Sequence, residues 1–268
     1  MRTIAIIGAG KMGEALLSGL LRAGWDAGSL LAVDASQQRA RELTERYGIR
    51  FVSSEEAVDA AEVVVLAVKP QDAHRLLTHV GARVSQGTLV VSICAGLPTT
   101  FFATHLPEGT PIVRVMPNTP ALVAEGMTAI SPGEHATAAD LDLVEELFQQ
   151  LGRVVRVPET QQDAVTALSG SGPAYFFYLV EAMTEAGVML GLPRQVAHDL
   201  TVQTAVGSAA MLRDTGESPA TLREAVTSPG GTTIAALREL DRHAVRAAVF
   251  SAVEAARDRA SGRAGRVG

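Results

Sequence analysis

The sequence predicts an α/β protein in two parts, a doubly wound, mostly parallel sheet over residues 1–157 and an all-helical part over residues 158–268. Three observations carry that expectation. Short β-branched apolar runs alternate with helical patterns through the first part. These runs are continuously apolar rather than alternating, as strands covered on both faces must be. Beyond Pro158 the strand signal ceases, and Ala, Leu, Val and Met at helical spacing continue to about Ala260.

Taken in order, Ile4 to Ile7, Leu30 to Val33, Val63 to Ala67 and Leu89 to Ile93 read as strands. Leu16, Leu17, Leu20 and Leu21 form a helical stripe that stops at Gly24, and the helix over Gln37 to Tyr47 stops at Gly48. Glycine is the usual exit from a helix because it enters the left-handed region without strain. Ser53-Ser54-Glu55-Glu56 has capping-box spacing and starts a short helix before the third strand. The resulting β-α-β-α-β order is that of a doubly wound sheet. A strand near Met127 to Ile130, a helix with Leu141, Val144, Leu147, Phe148 and Leu151 on one face, and a strand over Val154 to Val157 complete the first part. Two Gly/Pro interruptions break the helical part, Ser169-Gly170-Ser171-Gly172-Pro173 and Ser228-Pro229-Gly230-Gly231-Thr232-Thr233. The first interruption has a helix kink at Pro173 as its alternative reading, and Ser261 to Gly268 reads as a frayed tail.

Composition excludes several functions. The 268 residues carry 23 Lys and Arg against 29 Asp and Glu, a net charge of −6, with no basic stripe to follow a phosphodiester backbone. Nucleic acid is therefore not an expected partner. The apolar run at the start is too short for a signal segment or a membrane span, which points to the cytoplasm. A single cysteine, Cys94, excludes an internal disulfide, and its strand-ending context reads as a buried, unreactive thiol. His74 and His79 lie five apart, off the spacing of metal ligands on one helix face, and no metal is expected.

The chemistry is concentrated in loops. Gly8-Ala9-Gly10-Lys11-Met12-Gly13 is G-x-G-x-x-G placed between a strand and a helix, and Asp34 ends the next strand 21 residues past Gly13. In that context the first glycine makes the tight turn, the second admits a pyrophosphate to the backbone, and the third lets helix and strand pack closely. This is a Rossmann dinucleotide site, with the pyrophosphate on the helix N-terminus. Asp34 suits the ribose 2′-hydroxyl of NADH, whereas Arg39 or Arg41 could accommodate the phosphate of NADPH. Both arginines are expected on a solvated helix face, and the choice of cofactor stays open. Ala67-Val68-Lys69-Pro70 and Met116-Pro117-Asn118-Thr119-Pro120 each end a strand at the carboxyl edge of the sheet. Lys69 there is either a cofactor ligand or a surface residue before a proline-started helix, and Asn118 is either a ligand or part of an ordinary turn. Ser228, Gly230, Gly231, Thr232 and Thr233 open a helix marked by Ile234, Leu237 and Leu240. Two glycines with flanking hydroxyls form an anion nest suited to a carboxylate or phosphate, the alternative being a plain N-cap.

Together these segments resemble the Δ1-pyrroline-5-carboxylate reductase family. The resemblance rests on I-I-G-A-G-K-M-G from Ile6, A-V-K-P from Ala67, M-P-N-T-P from Met116, S-G-S-G-P-A-Y from Ser169 and above all S-P-G-G-T-T-I-A-A-L from Ser228, and it spans Thr3 to about Ala260. It implies hydride transfer from NADPH or NADH to C5 of a cyclic imine, giving L-proline. It also implies that Gly8 to Gly13, Ala67 to Pro70, Cys94, Ala95 and Asn118 line the dinucleotide. Ser228, Gly230, Gly231, Thr232 and Thr233 would hold the substrate carboxylate, with Thr233 as the catalytic hydroxyl near the ring nitrogen. A homodimer built through the C-terminal helices, gathered in some members into a decamer, is implied too, with Ser169 to Tyr175 shaping interface and pocket. Many members place Ser, Thr or Asn where this chain has Asp34, so a preference for NADPH does not follow. Reduction of a related cyclic imine acid and non-catalytic NAD(P)H sensing are the alternatives. The β-hydroxyacid dehydrogenases use a lysine in their helical domain, and this chain has none beyond Pro158.

Overall fold

The computed structural model describes residues 2–262. The expected frayed tail lies mostly outside them. Contacts divide the chain into two compact units: Gly172–Ala255 forms one, and the chain up to Ser171 with the stretch from Ala256 on forms the other.

The first unit runs β1 (Ile4–Ile7), α1 (Lys11–Arg22), β2 (Leu30–Val33), α2 (Gln37–Tyr47), β3 (Arg50–Phe51), α3 (Ser54–Ala60), β4 (Val63–Leu66), α4 (Pro70–Val80), β5 (Leu89–Ser92), α5 (Thr99–Ala103), β6 (Ile112–Met116), β7 (Gly126–Pro132), α6 (Ala138–Gln149), β8 (Gly152–Arg156) and α7 (Gln162–Val165). Among the described residues the strands make one sheet in the order β3-β2-β1-β4-β5-β6-β7-β8. Every pairing is parallel except that of β6 with β7. β1 pairs with β2 through Ile7 and Val33 and with β4 through Ile7 and Leu66. That is the point where strand order reverses, and open α/β sheets bind ligands outside the strand ends there.

The continuous apolarity of the strands has a direct cause. Successive side chains point to opposite faces, and both faces are covered. Ile4, Ile6, Val63 and Val65 pack with Leu16, Leu17 and Leu20 of α1 and Val144, Leu147 and Phe148 of α6 on one side. Ala5, Ile7, Val64 and Leu66 pack with Val58 of α3, Leu77 and Val80 of α4 and Phe102 on the other. β3 escapes sequence reading because two residues set no period.

Helix starts are made by local hydrogen bonds. Ser53 Oγ accepts from the Glu56 N–H at 3.1 Å, but the Glu56 carboxylate turns to Arg50 at 2.7 Å, so only half of the expected capping box forms. A full box starts α6, where Thr137 and Asp140 each accept the other's main-chain N–H. The alternative of a kink at Pro173 is not what interrupts the chain. A π-turn over Thr166–Gly170 closes with the Ser171 N–H on the Thr166 carbonyl at 2.8 Å, and Pro173 lies in the first turn of the next helix, where its missing N–H costs nothing.

The second unit is built from α8 (Gly172–Met189), α9 (Arg194–Thr215), α10 (Pro219–Ala225) and α11 (Thr232–Arg242), with α12 (Val245–Ala260) beginning in it. Between Gly172 and Ala255 only Gly172, Thr184, Ala197 and Thr201 are buried. Phe176, Phe177 and Tyr178 are 68 %, 67 % and 75 % exposed. Helices this apolar without an internal core have a face that wants a partner.

Candidate active site

Each glycine of the first loop answers a constraint in the backbone. Gly8 has φ +107°, and a Cβ there would lie 2.5 Å from the Ala67 carbonyl oxygen, where the chain leaves β4. A Cβ on Gly13 would lie 2.1 Å from the Gly8 carbonyl oxygen. Gly10 differs: it precedes α1, has no side-chain cap and faces open space, with nothing within 4 Å of an added Cβ. Backbone can therefore approach a ligand there, and the first N–H groups of α1 lack helical partners. These features fit a dinucleotide pyrophosphate.

Two clefts flank the loop and share Val68. The larger, about 550 Å³, is bordered by Gly8, Asp34, Ser54, Asp72, Arg75 and His79. The smaller, about 270 Å³, is bordered by Met12, Ala67, Ile93, Met116, Asn118 and Gly170. Of the residues expected at the dinucleotide, Gly8, Asp34, Met12, Ala67, Val68 and Asn118 thus border clefts. Lys69 and Pro70 start α4, and neither they, Lys11 nor Ala95 border either cleft. Cys94 lies behind the wall: its thiol is buried and points to the Val68 carbonyl oxygen at 3.3 Å, and burial pushes its pKa up. Gly170 falls in the Ser169 to Tyr175 segment expected to shape the pocket, whereas Ser54, Asp72, Arg75, His79, Ile93 and Met116 were not expected at a cleft from sequence. Positions 72, 75 and 79 share one face of α4, a spacing that could have pointed to three of them.

The acid and the basic residues near the loop are held firmly. Asp34 Oδ2 accepts from the Ala9 N–H at 3.0 Å, and Oδ1 accepts from the Ser36 N–H at 2.8 Å. Arg41 is exposed as expected, but Arg39 is not on a solvated face. Its Nε donates to the Ala9 carbonyl at 3.1 Å and its guanidinium pairs with Glu14. An arginine side chain is long enough to cross from α2 to α1, which helical periodicity cannot reveal. Glu14 also accepts from Arg46 at 2.9 Å and from the Tyr47 hydroxyl at 3.1 Å. Burial pushes its carboxyl upward, and the bonds to Arg39 and Tyr47 with the neighbouring positive charges outweigh that, leaving it below the usual range.

Asn118 borders the smaller cleft with its amide fully engaged. Oδ1 accepts from the Met127 N–H at 2.9 Å, and Nδ2 donates to the Ser169 carbonyl at 3.3 Å and hydroxyl at 3.2 Å. It braces the start of β7 and the π-turn.

In the second unit Gly230 has φ +69°, the Gly231 N–H donates to the Ser228 carbonyl at 3.1 Å, and Gly231 is the N-cap of α11 with no side-chain cap. Among the described residues the hydroxyls of Ser228, Thr232 and Thr233 make no hydrogen bond. A plain side-chain cap is therefore not what this cluster builds. It leaves hydroxyl and main-chain donors together at a helix N-terminus, a constellation that accepts a carboxylate.

Comparison with known proteins gives these sites a family. Residues 159–263 match a model of the pyrroline-5-carboxylate reductase dimerisation domain, and residues 3–96 match one of coenzyme F420-dependent NADP oxidoreductases. The pyrroline-5-carboxylate reductase of Mycobacterium tuberculosis is 47 % identical, covering 97 % of this chain and 96 % of its own. The chain belongs to the pyrroline-5-carboxylate reductase family. The structure of the family member from Coxiella burnetii is similar with a TM-score of 0.91 at 35 % identity, covering 98 % of each chain. That of the Plasmodium falciparum reductase with NADP bound has a TM-score of 0.89 at 30 % identity, again covering 98 % of each chain. Family membership agrees with the Rossmann first part and the helical second part. Among the described residues no helix is long and apolar enough to cross a membrane.

Proposed function

We propose that this chain reduces Δ1-pyrroline-5-carboxylate to L-proline, the last step of proline biosynthesis, with NADPH or NADH as reductant. The observation that carries the reading is the uncapped glycine-hydroxyl cluster at the start of α11, in a chain whose first loop fits a dinucleotide.

The substrate is a five-membered cyclic imine bearing one carboxylate. When bound, a reduced nicotinamide would supply a hydride to the imine carbon, which becomes C5 of proline, and the C=N π electron pair would pass to a nitrogen that already carries the proton of the imine. A protonated imine is already electrophilic, so the site must position it and needs no strong acid. Ser228, Gly230, Gly231 and Thr232 hold the carboxylate, where α11 presents N–H donors and a favourable dipole. Thr233 orients the ring nitrogen through its hydroxyl and is the catalytic residue. Gly8 to Gly13, Asp34, Ala67 to Pro70, Cys94, Ala95 and Asn118 form the dinucleotide site, Cys94 and Asn118 by fixing its walls.

Residues 1–157 serve dinucleotide binding, and residues 158–268 serve substrate binding and assembly. The exposed apolar helices of the second part assemble as a homodimer, further gathered into a decamer, and the enzyme works in the cytoplasm. The test is turnover: purified protein with Δ1-pyrroline-5-carboxylate should oxidise a reduced nicotinamide dinucleotide and form proline. Absence of oxidation with both dinucleotides overturns the reading.

A further inference from the structure

We infer that Asp34 makes this chain select NADH over NADPH. The inference rests on the reading above that the loop and its larger cleft hold a nicotinamide dinucleotide.

Asp34 directly follows β2 and borders the cleft beside Gly8. An acid at the end of the second strand is where a doubly wound fold meets the ribose 2′-position. Its carboxylate is fixed by two main-chain donors, Ala9 N–H on one oxygen and Ser36 N–H on the other. Swinging it aside to admit a phosphate would strip both bonds, the one to Ala9 in the glycine loop included. Each oxygen keeps lone pairs that ribose hydroxyls can donate to. A 2′-phosphate offers no comparable donor and brings like charge.

A neighbouring cation could reverse that balance, so each one matters. Arg39 is turned to the Ala9 carbonyl and Glu14. Arg50 pairs with Glu56 at 2.7 Å, and Arg41 is exposed; neither borders the cleft. Two basic residues do border it. His79 Nε2 meets Glu55 Oε1 at 2.6 Å, and Arg75 meets Asp72, itself a cleft residue, at 3.2 Å. Each brings a carboxylate with it, so neither basic residue bordering the cleft stands as an unpaired positive charge, and Lys11 and Lys69 do not border it. Repulsion of the phosphate is left standing.

Isothermal titration of the purified full-length protein with NADH and with NADPH, without substrate, tests this. NADH should bind at least about tenfold more tightly, and higher salt should narrow the gap by screening the repulsion. Asp34→Asn and Asp34→Ser should move the ratio towards NADPH by about tenfold or more, with thermal melting confirming that each folds. Arg75→Ala should keep the preference for NADH. Equal or tighter binding of NADPH by the wild-type protein overturns the inference, as does a ratio unchanged in folded Asp34 variants. A wild-type protein that binds neither dinucleotide overturns the functional reading itself.

Discussion

Ala9 and Arg39, thirty residues apart, are joined by a hydrogen bond of 3.1 Å from Nε to the main-chain carbonyl, while the Ala9 N–H is held by Asp34. The glycine loop is thereby pinned to both the end of β2 and the face of α2. Arg39→Ala should weaken NADH and NADPH binding alike, by roughly three- to tenfold, the worth of one hydrogen bond. A loss confined to NADPH would instead make Arg39 a phosphate ligand.

The contact of Gly13 with Gly8 is equally strict. Gly13→Ala would set a methyl group 2.1 Å from the Gly8 carbonyl oxygen, so α1 must move away from β1. Urea unfolding should show a loss of about 1–3 kcal/mol, and dinucleotide binding should fall with it. Unchanged stability and unchanged binding would contradict the tight packing.

For the reaction, Thr233→Ala should lower kcat/KM with the imine by about ten- to a hundredfold, the range of one hydrogen bond to a charged group. Dinucleotide affinity should be unchanged, and Thr233→Ser should restore most of the rate. A Thr233→Ala enzyme within a factor of about two of wild type would remove the hydroxyl from the mechanism.

Assembly is testable on α8. Phe176 and Phe177 are both about two-thirds exposed, and fully burying such a side chain is worth about 1.5–3 kcal/mol. The double variant Phe176→Glu and Phe177→Glu should shift the mass in solution, measured by light scattering, to that of a single chain. Retention of the wild-type mass would move the interface off this face.

Acid stability should depend on Glu55. Its carboxyl is drawn from 4.5 to about 2, first by its own main-chain N–H and then by His79 and Ser54. A folded value below the unfolded one means that this stabilisation is complete above about pH 4.5 and is lost as pH falls towards 2. Glu55→Gln should therefore flatten that part of the profile of melting temperature against pH by lowering the melting temperature at neutral pH, with the difference from wild type vanishing as pH falls towards 2. A profile with the wild-type slope in that window would show that the pair adds nothing.

Much of the first unit is legible because its signals are local. The runs at Ile4, Leu30, Val63 and Leu89 become β1, β2, β4 and β5 within a residue at their ends. The glycine loop is legible for a similar reason: each glycine marks a conformation or close approach that a side chain would block, so residue type reports geometry directly. The Ser228 to Thr233 cluster stood out because an ordinary cap needs one hydroxyl and no pair of glycines.

Other features had no local mark. Arg39 and Arg41 look alike in sequence, yet one reaches α1 and the other points to solvent. Asn118 could be placed at the strand end, but the saturation of its amide by Met127 and Ser169 depends on residues nine and fifty-one positions away. The antiparallel β7 carries no direction in its composition, and the π-turn before Pro173 was hidden behind a proline that suggested a kink.

By itself the sequence determined most of the helices and strands of the first unit, β3 excepted, the parallel character of its first strands and the residue types of the glycine loop and of the Ser228 to Thr233 cluster. Those properties follow from periodicity, residue size and backbone freedom within a few positions. Only the tertiary structure decided which cations stand paired beside Asp34, which expected ligands act as braces, and that the helical unit lacks a core of its own. Each of these is set by contacts between residues far apart in the chain, and such contacts exist only once the chain has closed on itself.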